Sequence, residues 1–303
     1  MGRTLRRMWG RRIQAAVNLL LISLAFYALL PILWGISVSL KNNKELFVPR
    51  PSFIPKHPSL WNYIYVIREA GSYGIERSRL PLGEFGRFFI NSCVVSGGTV
   101  LLIVLISSMA GYAYARRSFR GRDVFFYGTI VMMFIPSAGG LMATYELMHF
   151  LHLRDNLFGL ILLFASSPLV YIFIMRQAFL SVPRELEDAA KRDGCNAWQL
   201  FWEVDLRLVT GAVVVVAIFS FISVWGEFLV TYTMIDRREL LTISVAIQSL
   251  QFIKLQTVQV LHGETAEACS AAANLMAAVP VVLVYLGMQR WFVQGIQSGI
   301  LKL

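Results

Sequence analysis

Residues 158–235 decide the reading of this chain. "FGLILLFASSPLVYIFIMRQAFL" (158–180) is apolar, "SVPRELEDAAKRDGCNAWQLFWEVDLRL" (181–208) is charged, and "VTGAVVVVAIFSFISVWGEFLVTYTMI" (209–235) is apolar again. A helix rises 1.5 Å per residue, so about 20 apolar residues cross a hydrocarbon core. Two crossings joined by one charged loop satisfy all three stretches. No alternation of period two runs through them, which disfavours a membrane barrel.

The same test applied outward finds six stretches: Ile13–Ser39, Phe88–Ala115, Val124–Met148, Phe158–Leu180, Leu208–Ile235 and Ala271–Phe292. Composition agrees. The apolar fraction is 56% and only 15% of residues are charged, against about 25% in soluble domains. The expected fold is therefore all-α and polytopic, with six transmembrane helices. The N-terminal "MGRTLRRMWGRR" resembles the charged start of a signal peptide. The apolar run after it is too long for one and has no small-residue cleavage site, so it reads as a retained first helix.

Lys and Arg total 28 against 18 acids, a net charge of +10. In a soluble chain this would suggest nucleic acid. Here the basic residues lie between apolar runs: Arg3, Arg6, Arg7, Arg11 and Arg12 before the first, Arg116, Arg117, Arg120 and Arg122 after the second, and Arg184, Lys191 and Arg192 after the fourth. With six spans these segments share one side, and the positive-inside rule makes it the cytoplasm, with both termini there. Prolines at 31, 136, 168 and 280 fall inside spans and remove backbone donors. Gly97–Gly98, Ser107–Ser108, Ala110–Gly111 and Gly139–Gly140 permit close helix approach.

The charged loop has a legible local structure. Pro183 suits a helix start, Glu185, Glu187 and Asp188 favour its positive end, Lys191 and Arg192 its negative end, and Gly194 stops it. A helix of about 16 Å over 183–193 follows. Asn196 with Gln199 three residues on reads as a capping box opening a second helix. Trp198, Phe201 and Trp202 suit a lipid–water interface.

On these residues the chain resembles the permeases of ATP-binding-cassette importers. Asp188-Ala189-Ala190, Gly194 and Val204-Asp205-Leu206 match their E-A-A-x3-G-x9-I-x-L-P loop, with Asp188 for Glu and Arg207 for Pro. "FFINSCVVS" (88–96), "GYAYARRSFRGRD" (111–123), "FIPSAGGLMATYELMHFLHLRDNLFGLIL" (134–162), "WGEFL" (225–229, Gly226 for the usual Asn) and "MQRWFVQGIQSGILKL" (288–303) resemble the carbohydrate-uptake branch, in particular the second maltose-type permease subunit. The resemblance implies a tail, first helix and extracytoplasmic loop over 1–87 and a core permease domain over 88–303. It implies a heterodimer with a second permease, two ATPase subunits gripping the coupling loops between helices 4 and 5, and an extracytoplasmic sugar-binding protein. ATP and Mg would sit on the ATPase; this chain would hold no cofactor and catalyse nothing, consistent with its lack of a GxxxxGK[ST] loop. The expected docking residues are Glu185, Glu187, Asp188, Ala189, Ala190 and Gly194.

Ser220, Ser223, Trp225, Glu227 and Tyr232 are candidates to line the pathway, against the alternative of helix packing or, for Glu227, a structural hydrogen bond. His149 and His152 lack a third ligand for a metal. Cys93, Cys195 and Cys269 form no disulfide framework. The segment "REAGSYGIERSRLPLGEFGR" (68–87) is a candidate contact for the binding protein. Rival readings are an ABC permease for another polar solute, a secondary transporter, which would need more intramembrane charge, and a membrane enzyme, for which HExxH and GxSxG are missing.

Overall fold

A computed structural model describes residues 2–49, 52–69, 83–135, 140–248 and 266–300 of the chain, and every regular element among them is helical. In chain order these are α1 (Gly2–Ser39), α2 (Asn43–Leu46), α3 (Trp61–Glu69), α4 (Gly83–Arg116), α5 (Arg122–Met132), α6 (Leu141–Phe150), α7 (Leu157–Ala165), α8 (Leu169–Leu180), α9 (Arg184–Arg192) and α10 (Ala197–Gln199). A π-helical turn, Leu200–Asp205, leads into α11 (Leu206–Leu208), α12 (Thr210–Trp225) and α13 (Leu229–Met234). A 3₁₀ turn, Arg238–Leu240, is followed by α14 (243–248) and α15 (Ala266–Ile300).

Among the described residues, three helical segments are long and apolar enough to cross a bilayer alone: Ala16–Ser39, Phe85–Arg116 and Glu267–Arg290. Two bent pairs qualify as broken spans, α7 with α8 at 52° and residues 197–208 with α12 at 77°. The stretch expected over Val124–Met148 falls on α5 and α6; Pro136 and Gly139 between them lie outside the described residues. So does most of the 68–87 segment. The apolar surface is what a bilayer requires: Leu19, Ile22, Phe26 and Tyr27 on α1 and Leu283 and Leu286 on α15 are exposed, a cost in water that lipid removes.

The chain divides into two compact units, one of residues 1–73 and 250–276, the other of 74–249 and 277–303. In the first, the end of α1 is tied off by side chains, because its last carbonyls have no partner within the helix. Asn62 Nδ2 donates to Ser39 O (2.8 Å) and Lys41 O (2.9 Å), and the Ser39 and Tyr63 hydroxyls meet at 2.8 Å. Lys41 is fully buried. Its ammonium donates to Ser52 O and lies 4.6 Å over the Trp34 ring, which offsets its desolvation. Glu45 accepts the Lys56 and His57 N–H groups, each at 2.9 Å.

The second unit is built on α4, which packs against α7, α8 and α12. Glycine decides how close these helices come. A Cβ on Gly111 would lie 2.7 Å from Met175 Cβ and 2.8 Å from the Arg176 backbone nitrogen. One on Gly98 would lie 2.8 Å from Ile161 Cδ1, whereas one on Gly97 would meet nothing within 4 Å. At the Gly111 crossing the rings of Tyr112, Phe179 and Phe201 cluster, with Tyr112 5.4 Å from Phe179 and 5.0 Å from Phe201. Near the start of α4, Asn91 Nδ2 donates to Glu239 O (2.8 Å) and Leu241 O (3.0 Å), and Ser92 Oγ accepts from Ile243 N (2.8 Å). The residues of the "INS" motif therefore anchor the segment after α13.

The α6–α7 turn is clamped to that same segment. Asp155, at φ 53°, accepts the Arg237 N–H (2.9 Å), the Asp236 N–H (3.2 Å) and Arg237 Nε (2.6 Å). Arg154 pairs with Asp236 at 2.7 Å and lies 4.1 Å over the Tyr145 ring. Partial burial alone would raise the Asp155 carboxyl; the Arg237 backbone and guanidinium donors outweigh it and hold the pKa below the usual carboxylate value.

Both the crossing and the clamp can be tested by melting. Gly111→Val must displace backbone, so it should destabilise the purified protein by about 2 kcal/mol, while Gly97→Val leaves the thermal midpoint in detergent nearly unchanged. Equal midpoints would contradict the close crossing. Because its folded pKa is lowered, Asp155 adds stability above the unfolded value of about 3.9 and loses it as pH falls through the folded one. Asp155→Asn should therefore melt earlier than wild type at pH 7, with the gap closing below about pH 4; a gap constant to about pH 3 would refute the clamp.

Candidate functional site

The charged loop forms the helix–turn–helix that its sequence encodes. Pro183 precedes α9 in extended conformation (φ −62°, ψ 135°), and Glu185 and Glu187 occupy the first turn with Lys191 and Arg192 in the last. Gly194 adopts φ +91°. Cys195 N–H bonds to Ala190 O (3.0 Å) and Gly194 N–H to Lys191 O (3.1 Å), the pattern of a Schellman stop. A side chain at 194 would be strained by the backbone alone. Asn196 Oδ1 accepts from Trp198 N (3.0 Å) and Gln199 N (2.9 Å), while Gln199 Oε1 accepts from Asn196 N (2.9 Å), a complete capping box.

The two faces of α9 differ in kind. Glu187 is buried and pairs with Arg116 Nε, at the end of α4, at 2.8 Å. Arg116 also donates to Val182 O, the residue before Pro183. Lys191 stands 3.7 Å from Glu187 and 3.3 Å from Asp188. Glu185, Asp188 and Gly194 are exposed, and Ala189 and Ala190 are half-buried. Five of the six candidate docking residues thus remain reachable from outside, and Glu187 faces inward.

The π-helical turn was not legible in the sequence. It holds Leu200, Phe201 and Asp205 buried. The 77° bend at Val209 separates these residues from α12. Among the described residues, neither carboxylate oxygen of Asp205 has a well-formed hydrogen bond. Glu187, Arg116 and Lys191 all lie near enough to act on it electrostatically. Arg116, Glu187 and Asp205 are therefore one buried charge cluster where the loop meets α4, held together by electrostatics in a place of low polarisability.

The candidate pathway residues separate. Ser223 and Glu227 line a cavity of about 650 Å³ between α4, α7, α8 and α12. Glu227 Oε1 also accepts the Val230 N–H at 2.9 Å, capping the start of α13. Ser220 is fully buried and donates to Val216 O at 2.7 Å. Trp225 is buried, donates to Ala277 O at 2.9 Å and stacks with Phe221. Tyr232 is exposed and stacks on Phe228. Sequence reasoning passed over Ser167 and Tyr171, which line the same cavity. Pro168, next to Ser167, was the available signal.

Residues 86–298 match the model of the family described as binding-protein-dependent transport system inner membrane component. The chain is 30% identical over 281 residues to the arabinooligosaccharides transport system permease protein AraQ of Halalkalibacterium halodurans, covering 92% of this chain and 93% of the other. It is 29% identical over 309 residues to the maltose/maltodextrin transport system permease protein MalG of Vibrio parahaemolyticus, covering 99% and 98%. A crystal structure of a bacterial ABC transporter involved in the import of the acidic polysaccharide alginate contains a chain that superposes with a TM-score of 0.79 at 24% identity, over 93% of this chain and 97% of that one, which establishes a shared fold. The match to the family over most of its length makes this chain a binding-protein-dependent transport system inner membrane component.

Proposed function

We propose that this chain is the membrane-spanning permease subunit of an importer driven by a separate ATPase, that its cargo is a sugar or oligosaccharide, and that the α9 loop is where the ATPase grips. In this reading α5 and α6 complete a sixth span, both termini and the α9 loop face the cytoplasm, a second permease completes the pathway, and an extracytoplasmic binding protein delivers the cargo. ATP and Mg belong to the ATPase.

The observation that carries the reading is the division of labour on α9. Its inward acid is paired through Arg116 to α4, the helix against which α7, α8 and α12 pack, while its exposed acids and small alanines leave a surface another protein can approach closely. A coupling element needs both properties. Force applied to a loop that floats free of the bundle would move only the loop. A conformational change requires that the partner hold the loop differently in its two states. The sugar cargo is supported by the relatives whose names specify arabinooligosaccharides and maltose/maltodextrin.

The test is co-purification of an ATPase with this chain from native membranes. Wild type should carry it. Asp188→Lys combined with Ala189→Asp changes only the outward face of α9, so it should leave membrane insertion intact and lose the ATPase by about tenfold or more, the cost of misplaced charge in an interface. Undiminished co-purification by the variant would move the docking surface elsewhere, and no ATPase with intact wild type would remove the importer reading.

A further inference from the structure

The positive charge around the end of α4 is unevenly satisfied. Arg116 pairs with Glu187, and Arg122 with Asp123. Among the described residues, Arg117, Arg120 and Arg176 have no carboxylate within ion-pair distance. Arg117 and Arg120 lie in the exposed turn between α4 and α5. Arg176 lies on α8, one turn before its end at Leu180. Its Nε is buried and has no hydrogen-bond partner among the described residues. The guanidinium sits 3.9 Å over the Phe126 ring of α5, which orients its planar fork but supplies no acceptor.

Ring contacts join these cations into one seam. Phe126 packs on Tyr114 at 5.6 Å, and Tyr114 on Phe119 at 6.1 Å, between Arg117 and Arg120 in the chain. Phe126 also stacks on Phe173 of α8 at 6.4 Å. Beside the cations, Phe119, Val124, Phe125 and Phe173 are exposed, a surface that suits hydrocarbon better than water. A half-buried guanidinium without an anion carries a desolvation cost that ring contact offsets only in part. The anion abundant at the edge of a bilayer is the lipid phosphate, which a guanidinium binds bidentately. Two further cations nearby favour a headgroup of net negative charge over a zwitterionic one, whose ammonium they repel. Basic pockets between membrane helices hold anionic headgroups by the same chemistry.

We propose that the seam between the end of α4, the start of α5 and the end of α8 binds one anionic phospholipid. Arg176 holds its phosphate, Arg117 and Arg120 surround the headgroup, and its acyl chains lie over Phe125 and Phe173. On the topology proposed above this is the cytoplasmic leaflet. The site depends on neither the cargo nor the ATPase, and it places a lipid at the helix end that anchors α9 through Arg116.

For the test, the full chain is purified from native membranes with the subunits that accompany it and delipidated in neutral detergent. It is then titrated with dioleoylphosphatidylglycerol, and bound lipid is counted by native mass spectrometry. Wild type should retain one lipid that an equal concentration of dioleoylphosphatidylcholine does not displace. Arg176→Gln and Arg120→Gln should each weaken retention about fivefold, the effect of one basic charge at an anionic lipid surface. Arg120 stands in an exposed turn, so its variant reads the site even where Arg176→Gln fails to fold. Lys56→Gln removes the same charge from an exposed position in the loop after α1 and should change nothing. Water-soluble glycerophosphate should not compete, because the acyl chains supply part of the affinity. Equal weakening by Lys56→Gln would show attraction to net charge alone and overturn the site. Effective competition by glycerophosphate would overturn the lipid in favour of a soluble phosphate. Wild type that retains no phosphatidylglycerol would assign these cations to a carboxylate of a neighbouring subunit and overturn the proposal.

Discussion

The ion pair between Arg116 and Glu187 is the constraint on which the rest of the proposed mechanism depends. It joins the end of the central helix α4 to the middle of α9, and both side chains are almost wholly removed from solvent. Such a pair contributes little net stability, because desolvation offsets attraction. Its removal by halves is costly, because the remaining charge stays buried. What it supplies is position: α9 is fixed against α4 through its charged face, and Arg116 holds Val182 at the helix entry at the same time. Asp205, buried beside the pair with no well-formed hydrogen bond of its own, makes the cluster electrostatically tense and ties the π-helical turn to it.

Above that cluster the bundle is arranged by absence of side chains. Gly111 lets α8 cross α4 in backbone contact, and Gly98 brings α7 close enough to touch through Ile161. The aromatic cluster of Tyr112, Phe179 and Phe201 then packs where α4, α8 and the π-helical turn converge. A displacement of α9 has a continuous path of tight contacts along which to act, from Glu187 to Arg116, from Arg116 to α4, and from α4 through the glycine crossings to α7 and α8. The cavity with Ser223 and Glu227 sits between those same helices.

Much of this was legible in the chain of residues. The apolar periods of α1, α4 and α15, the stop at Gly194 and the capping box at Asn196 are local features, and local chemistry specifies them. The candidate docking acids were legible as a group, but their orientation was not. Glu187 and Asp188 are adjacent and chemically alike, and only the position of Arg116, far earlier in the chain, separates inward from outward. Ser220 and Ser223 differ in the same way: one is turned into α12's packed face and one reaches the cavity. The π-helical turn was invisible because no residue type signals it, and the Asp155–Arg237 clamp because its partners are distant in sequence. The break near Pro168 was marked by its residue, whereas the one at Gly226 fell inside a stretch that reads as a single continuous span, and the cavity beside them was not legible.

The most direct test is a double-substitution cycle across the ion pair, reading both thermal stability and sugar moved per ATP hydrolysed in the reconstituted importer. Arg116→Met and Glu187→Leu should each destabilise the chain by about 3 kcal/mol and lower the coupling ratio. Combined, they should cost clearly less than the sum of the single changes, since an apolar pair fills the same space and only the Asp205 carboxyl is left without Arg116. Two single effects that simply add, with no coupling between the positions, would contradict the claim that this pair binds the loop to the bundle.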